Sequence, residues 1–254
     1  MTARLGRWRW LAGLGGLLAV VALPLAVAQP PNAFNEREVK REVNIQDKDG
    51  VWVFDFRFKD PRLIKVDIPG RGQRVVWYMW YQVINNTGEP RTFIPKFELV
   101  TQDSHKNYTD EVLPKAQEAI AALEDPTSPA EDRLKRLKNS VTIGSDPIPP
   151  SNPDSSPKRV TGVAIWDGVD PDTTSFSVFV SGLSNGWSVD DNGVVRRKTL
   201  QLNFRRTGSR YLMRSEDIKF VPPAQWIYRN TDVKLPDAAA PKPAPKPQQP
   251  KQGN

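Results

Sequence analysis

Residues 74–101, RVVWYMWYQVINNTGEPRTFIPKFELVT, limit the fold of this chain more than any other stretch. Successive side chains of a strand point to opposite faces, and both sets in residues 75–84 are largely apolar. A strand that is apolar on both faces needs cover on both sides, so we expect a central strand here. Residues 85–88, NNTG, predict a turn, because Asn and Gly tolerate a left-handed backbone, and residues 93–100 predict a second strand.

Several other runs have the composition or the alternation of β-strands. In residues 51–59, four aromatic side chains recur at every second position, which is the period of a half-buried strand. Further predicted strands lie at residues 39–45, 64–68, 160–166, 174–181, 197–206 and 210–213, and residues 220–228 are expected to close the core. Residues 207–209, TGS, predict a short hairpin turn between two of these strands.

Residues 105–157 differ from the rest of the chain and predict a two-helix, Pro-rich insertion between strands. Apolar residues recur at helical spacing at about 113–124 and 129–138. In the second helix we expect Ser128 to be the N-cap and Pro129 the first helical residue. The Pro-rich end of the segment predicts an irregular surface loop.

Eight or nine short strands, with turn signals at regular spacing and helices confined to one insertion, favour a mainly β protein, an antiparallel β-sandwich, over an α/β fold. We expect residues 47–230 to form one domain, after a lead-in at residues 29–46 that includes a weak first strand. Residues 231–254 contain no aromatic residue and are rich in Pro, Lys and Ala, so we expect a disordered tail.

The N-terminus has the pattern of an export signal. Three arginines precede the apolar run of residues 10–25, and Ala26 and Ala28 match the small-x-small pattern of a signal-peptidase site. We expect residues 1–28 to be a cleaved signal peptide, which makes the mature chain periplasmic or extracellular and leaves it without a transmembrane helix. The alternative is an uncleaved N-terminal anchor, although the run is short for a membrane span and is interrupted by glycines.

The composition narrows the function classes further. The chain has no cysteine, which excludes disulfides, thiolate metal sites and a lipoprotein anchor. Cleavage of the signal peptide removes three arginines and lowers the formal net charge from +7 to +4. This mild excess and the expected export argue against a nucleic-acid partner.

Three segments carry a resemblance to a known family. They are YQVINNTG at residues 81–88, FIPKFELV at 93–100 and GVAIW at 162–166. A strand that ends in an Asn-Thr-Gly turn and a later Gly-Val-hydrophobic strand are similar to those of secreted bacterial immunoglobulin-like (Ig-like) domains of unknown function. The resemblance covers roughly residues 50–230, and the helical insertion departs from the family's pattern. It implies an Ig-like β-sandwich outside the cytoplasm and carries over no catalytic residue.

Signals for catalysis or metal binding are few. His105 is the only histidine of the chain and is expected to be a polar loop residue, so neither a Ser-His-Asp nucleophile nor a zinc site is predicted. Asp167, Asp170 and Asp172 are weak candidate ligands for a hard cation, and residues 47–50 form a second acidic loop. Asp and Gly are also the residues that turns require, so a plain turn is the alternative at both places. We expect no enzyme activity and no cofactor.

A cluster of basic residues in the late strands is the candidate site for polyanions. Its members are Arg196, Arg197, Lys198, Arg205, Arg206, Arg210 and Arg214. On a hairpin these side chains would form one cationic face for anionic envelope polymers, to which the tail would add Lys242, Lys246 and Lys251. The alternative is a solvated sheet edge whose charges prevent aggregation.

Trp187 is the candidate for stacking on a glycan, because residues 184–188, SNGWS, predict an exposed loop. Most of the other tryptophans fall in predicted strands, where core packing is expected. These observations predict an exported, non-enzymatic Ig-like protein that serves as a binding or structural module of the cell envelope or exterior. Its expected partner is an anionic envelope polymer or another envelope protein. A carbohydrate-binding module, or more remotely a carbohydrate-active enzyme, is the alternative.

Overall fold

The structure, a computed structural model, describes residues 36–43, 47–152, 154–208 and 214–230. Within these residues, twelve strands form two sheets, accompanied by the helices α1 (Pro114–Glu124) and α2 (Ala130–Arg136). The prediction of a mainly β protein with antiparallel strands and two helices is confirmed. Neither of these helices has the length and the apolar content that crossing a membrane requires. The predicted signal peptide, tail and strand at 210–213 lie outside the described residues.

The first sheet has the central strand β4 at its middle. Its members are β1 (Arg37–Val39), β2 (Asp55–Phe58), β3 (Arg62–Ile68), β4 (Gly72–Ile84), β7 (Leu137–Lys138) and β8 (Arg159–Trp166). The order is β1-β2-β4-β8-β7, and β3 pairs with the first half of β4. All described pairs in this sheet are antiparallel except the short β7–β8 pair.

In the second sheet, β11 pairs with three other strands. Its members are β5 (Lys96–Thr101), β6 (Asn107–Thr109), β9 (Ser175–Ser181), β10 (Trp187–Val189), β11 (Val195–Arg206) and β12 (Ile218–Asn230). The order is β10-β11-β9-β5-β6, and β12 pairs with β11. β11 is therefore an internal strand, and the interpretation of its basic residues as a solvated sheet edge is wrong. β4 and β5, although joined by a turn, belong to different sheets.

Both faces of β4 are buried, as the sequence predicts for a central strand. Trp77, Met79 and Tyr81 are fully buried in the core between the two sheets, where the Trp77 ring lies 5.3 Å from the ring of Phe176 in β9. Side chains of the opposite face pack against α1 in a second apolar cluster. Its members from β4 and α1 include Val76, Tyr78, Trp80, Ala116, Ile120 and Ala121. The helical insertion is therefore the cover for the outer face of the first sheet.

The insertion also contributes strands, which the sequence analysis did not predict. β6 and β7 both lie within residues 105–157, and they pair with β5 of the second sheet and with β8 of the first sheet. α2 ends before the predicted position 138, because Leu137 turns into β7 and pairs with Thr161. The predicted cap of α2 is wrong, since Pro129 is the N-cap and no side chain caps the helix.

A glycine allows a close contact inside the first sheet. Gly162 of β8 lies directly opposite Tyr81 of β4, and a Cβ atom at position 162 would lie 2.4 Å from Cζ of the tyrosine ring. The ring of Tyr81 is fully buried, and its centre lies 4.6 Å from the centre of the Phe97 ring in β5, at an angle of 37°. Burial raises the pKa of the Tyr81 hydroxyl well above its ordinary value.

Replacement of Ile120 by alanine tests the role of α1 as cover for β4. Ile120 is fully buried against the first sheet, so Ile120→Ala should lower the free energy of unfolding by about 2–5 kcal/mol. Leu123→Ala is the matched control, because Leu123 is on the same helix and 53% exposed, and its effect should stay within about 1 kcal/mol. Urea unfolding followed by circular dichroism measures both. If Ile120→Ala lowers the free energy of unfolding as little as Leu123→Ala does, packing of α1 does not stabilise the sheet.

Candidate functional site

The basic residues of β11 alternate between the two faces of the second sheet. Lys198 and Arg206 share a face with Leu200 and Phe204 and are 1% and 3% exposed. The prediction of one cationic face is therefore wrong for these two residues. The strand period that places Leu200 in the core also places Lys198 and Arg206 there.

The other members of the predicted cluster have different surroundings. Arg196 donates a hydrogen bond of 3.0 Å to Asp190. Arg214 lies 3.8 Å from Asp217, and Arg210 lies outside the described residues. Arg196 and Arg214 thus each have a carboxylate within ion-pair distance.

Arg197 and Arg205 remain on the exposed side of β11, which we call the outer face of the second sheet. This face also carries Thr199, Gln201 and Asn203 of β11 and the side chains directly opposite them in β9 and β12. Arg197, Arg205 and Lys219 of β12 have no carboxylate within ion-pair distance in the described parts of the chain. Arg205 lies directly opposite Lys219, which places two cations side by side.

Neutral polar groups occupy the outer face between Arg197 and Arg205. Ser177 of β9 donates a hydrogen bond of 2.7 Å to Oδ1 of Asn203, and Gln201 donates a bond of 2.9 Å to the same atom. Ser181 and Thr199 lie 3.2 Å apart through their hydroxyl oxygens. Ser177, Ser181 and Thr199 are buried, so the partly exposed polar groups of this part of the sheet are the amides of Gln201 and Asn203.

Two carboxylates near the Arg205 end of the sheet have other partners. Asp103 accepts hydrogen bonds from the backbone N–H groups of Thr174 and Ser175, which lower its pKa. Asp217 lies beside Arg214. Neither carboxylate forms an ion pair with Arg205.

Trp187 lies at the opposite end of the outer face. Its position there brings the candidate for glycan stacking next to Arg197, a candidate for polyanion binding. The prediction that Trp187 lies in a loop is wrong, because it begins β10 and lies directly opposite Arg197 of β11. Arg197 in turn lies directly opposite Arg229 of β12. Opposite residues of antiparallel strands share a face, so Trp187, Arg197 and Arg229 form a row about 10 Å long across three strands. We call this the Trp187 row, and its indole is 46% exposed.

Arg229 extends from the Trp187 row across the sheet. Its guanidinium carbon lies 4.2 Å from the centre of the Phe179 ring, and its Nη1 forms an ion pair with Glu98 of β5. Lys96 also lies 3.1 Å from Glu98. Burial acts to raise the pKa of Glu98, but hydrogen bonds from Asn107, Arg229 and Lys96 outweigh it and lower the pKa. This carboxylate is therefore ionised and neutralised by its neighbours.

A loop from the other end of the chain completes the Trp187 row. Nζ of Lys48 lies 3.6 Å from the centre of the Trp187 ring, in a cation–π contact. The preceding residue, Asp47, accepts hydrogen bonds from the buried ammonium of Lys198 and from the hydroxyl of Tyr228. These two bonds hold the loop against the end of the second sheet. Residues 47–50 are the second loop that the sequence offers as a candidate cation site. In this loop the carboxylate of Asp47 already accepts hydrogen bonds from protein donors.

The first acidic loop is tied to basic side chains as well. Asp167 accepts hydrogen bonds of 2.9 Å from Arg71 and 3.1 Å from Arg74. Partial burial acts to raise the pKa of Asp167, but these two arginines lower it below its ordinary value. Asp170 lies 3.3 Å from Lys106.

No convergence of the three candidate metal ligands is seen. Oδ1 of Asp170 accepts the backbone N–H of Asp172, as in a turn. In the parts of the chain that the structure describes, no group of three or more histidine, aspartate or glutamate side chains is arranged to hold a metal ion. His105 is exposed in the connection between β5 and β6.

Four residues of the outer face were not identified from the sequence: Lys48, Phe179, Lys219 and Arg229. Alternation gives a signal for two of them, because Lys219 and Arg229 flank the apolar residues Phe220 and Tyr228. No local pattern points to Lys48, since its contact with Trp187 joins segments far apart in the chain.

Comparisons of the chain with models of known protein families, with curated proteins and with solved structures find no match.

The hydroxyl of Tyr228 gives a pH-dependent test of how the loop is held. Burial and the hydrogen bond to Asp47 raise the pKa of Tyr228 from an ordinary value of 10 to about 12. The unfolded chain then loses this proton first as the pH rises, so the stabilisation is complete below pH 10 and is lost between pH 10 and 12. The difference in free energy of unfolding between the native protein and Tyr228→Phe should shrink over this interval. A difference that does not change with pH would exclude the bond.

Proposed function

We propose that this chain is an exported, non-enzymatic binding module of the cell envelope or exterior, and that the outer face of its second sheet binds an anionic polymer. The observation that carries the proposal is the Trp187 row. It combines an exposed indole, the ammonium of Lys48 on that indole, and Arg197, which has no ion-pair partner in the described parts of the chain.

An unpaired guanidinium on an open surface favours anionic ligands. Its planar donors match carboxylate, sulfate and phosphate groups through paired hydrogen bonds. Arg197 has no acidic partner that a ligand must displace, in contrast to Arg196, which is bound to Asp190. Lys48 adds a second positive charge at the Trp187 ring. The attraction of such exposed charges is weakened by salt, so the binding should be salt-dependent.

The spacing of the cations favours an extended ligand over a small ion. Arg197 and Arg205 are eight residues apart on β11, which corresponds to about 27 Å along an extended strand. Between them lie the amide groups of Gln201 and Asn203, which are partly exposed and form hydrogen bonds with uncharged parts of a polymer. Arg205 and Lys219 provide the second cationic end.

The charges of the outer face support a non-enzymatic role. Acid–base hydrolysis of a glycan needs two carboxylates at a defined separation. Glu98 is the carboxylate that lies among the strands of this face, and Arg229 and Lys96 already neutralise it. Binding without hydrolysis is the activity that this arrangement supports.

The location and the finer fold class are part of the same proposal. The pattern of residues 1–28 supports export. Two antiparallel sheets packed face to face, with the β4–β5 and β8–β9 connections crossing from one sheet to the other, support an Ig-like sandwich. Exposed loops and faces of such sandwiches are common binding surfaces.

The second candidate function is binding of a neutral glycan. The observation that favours it is the 46% exposure of the Trp187 indole, because an aromatic ring provides a stacking surface for a sugar. Such binding would depend on the ring and not on Arg197, and salt would have little effect.

Binding of polygalacturonate, a polymer with one carboxylate per sugar, tests the main proposal on purified residues 29–254. Arg197→Ala should weaken binding roughly tenfold, by about 1.4 kcal/mol, because a charge-assisted pair is lost. Lys65→Ala is the matched control, since it removes one exposed positive charge from the first sheet and should leave binding unchanged. Isothermal titration calorimetry at low and moderate salt measures the native protein and the Arg197→Ala, Lys65→Ala and Trp187→Ala variants. Binding that is insensitive to salt, includes neutral polymers and is lost only in Trp187→Ala would replace this proposal with the second candidate.

A length series of oligogalacturonates tests whether both ends of the outer face act together. The double substitution Arg205→Ala and Lys219→Ala should weaken binding of chains longer than about 27 Å and leave short oligomers unaffected, because only a long chain reaches both cationic ends. Affinity should therefore rise steeply with oligomer length in the native protein and not in the double variant. An equal loss for short and long oligomers would show that the Arg205 end is not a separate contact.

A further inference from the structure

A cavity of about 190 Å³ lies on the other side of the molecule, between the first sheet, the end of α1 and α2. Its charged and polar lining consists of Glu124, Asp125, Arg133, Arg136 and Thr161, with Trp80 of β4 as the aromatic wall. This cavity is smaller than the roughly 300–1,000 Å³ of pockets for drug-sized ligands. It has room for one small ring.

The carboxylate of Glu124 is already fully engaged by protein donors. It accepts hydrogen bonds of 2.9 Å from Nζ of Lys59, from Nη1 of Arg62 and from the hydroxyl of Tyr78. Burial raises the pKa of Tyr78 above its ordinary value, so this hydroxyl keeps its proton at neutral pH. A ligand gains little from donating a further bond to Glu124.

The second carboxylate at the cavity is also engaged. Asp125 accepts hydrogen bonds of 3.3 Å from the backbone N–H of Ser128 and from the hydroxyl of Thr127. Nη1 of Arg136 lies 3.6 Å away from it. The acceptor groups at this cavity are thus occupied.

Donor groups remain on the two arginines. Arg133 donates from Nε to the carbonyl of Ser128 at 2.7 Å and from Nη2 to the carbonyl of Pro126 at 3.0 Å. Arg136 donates from Nη1 to the hydroxyl of Ser128 at 2.9 Å. Nη1 of Arg133 and Nε and Nη2 of Arg136 have no acceptor among the described residues. The cavity therefore offers positively charged hydrogen-bond donors to a ligand that supplies hydrogen-bond acceptors.

α2 has a structure suited to presenting these arginines. None of its residues is buried, and Leu134 on the same helix is 41% exposed. The helix is held instead through the bonds of Arg133 and Arg136 to the preceding loop. Core packing therefore contributes little to α2, and its two arginines line the cavity.

From this arrangement we propose that the cavity binds a hydroxylated ring of monosaccharide size that carries one carboxylate. The carboxylate accepts hydrogen bonds from the free donors of Arg133 and Arg136, and the apolar side of the ring lies against Trp80 and Leu137. Nζ of Lys59, which is paired with Glu124, lies 4.6 Å from the centre of the Trp80 ring. This site is independent of the outer face of the second sheet.

Galacturonate and its uncharged counterpart galactose are the probes for this site. The native protein should bind galacturonate at roughly millimolar concentration, as expected for about a dozen heavy atoms, and should bind galactose at least tenfold more weakly. Arg136→Ala should weaken galacturonate binding at least tenfold. Lys135→Ala is the matched control, because it removes the same charge from an exposed position on α2 that does not line the cavity. Ligand-observed NMR measures each affinity.

Two further variants distinguish binding in this cavity from binding elsewhere on the protein. Ala121→Met fills the cavity and should abolish binding, with circular dichroism as the check that the fold is retained. Arg197→Ala reports on the outer face: galacturonate binding that is lost in Arg197→Ala and kept in Arg136→Ala would place the ligand there and overturn the assignment. Binding that is lost in Arg136→Ala and in Ala121→Met belongs to the cavity, whatever the outcome with the polymer. Equal binding of galactose, no saturable binding of galacturonate, or unchanged binding in Arg136→Ala would each overturn the assignment.

Discussion

The two-sided burial of β4 is the constraint on which the rest of the structure depends. One face of the strand is covered by the second sheet and the other by α1, so the insertion is a necessary part of the core. For this reason a segment that looks like an interruption in the sequence contributes a helix and two strands to the packing. Removing the insertion would expose Val76, Tyr78 and Trp80 to water.

Much of the fold follows from side-chain alternation, and the errors arise where tertiary contacts decide. The aromatic alternation of residues 51–59 predicts a buried face, and Phe54, Phe56 and Phe58 are fully buried. The same period, applied to Lys198 and Arg206, would have placed them in the core. In contrast, the separation of β4 and β5 into two sheets has no local signal, because the turn between them is compatible with either arrangement.

The candidate site depends on buried groups that are not part of its surface. Lys198 is inside the protein, yet its bond to Asp47 fixes the loop that places Lys48 on the Trp187 ring. The sequence pointed to Trp187 and Arg197 for two separate reasons, and the pairing of β10 with β11 places them side by side. Strand pairing of this kind involves only three residues of β10, which is too short a run for sequence periodicity to detect.

The contact between Gly162 and Tyr81 limits how the sequence can change over evolutionary time. A methyl group at position 162 would overlap the phenol ring, whose position is fixed by Phe97 and by the rest of the core. Proteins that share this fold and carry a larger residue than glycine at the position of Gly162 must therefore carry a smaller residue than tyrosine at the position of Tyr81. The two positions should change together in such relatives, and a tyrosine facing an alanine at this register should be absent.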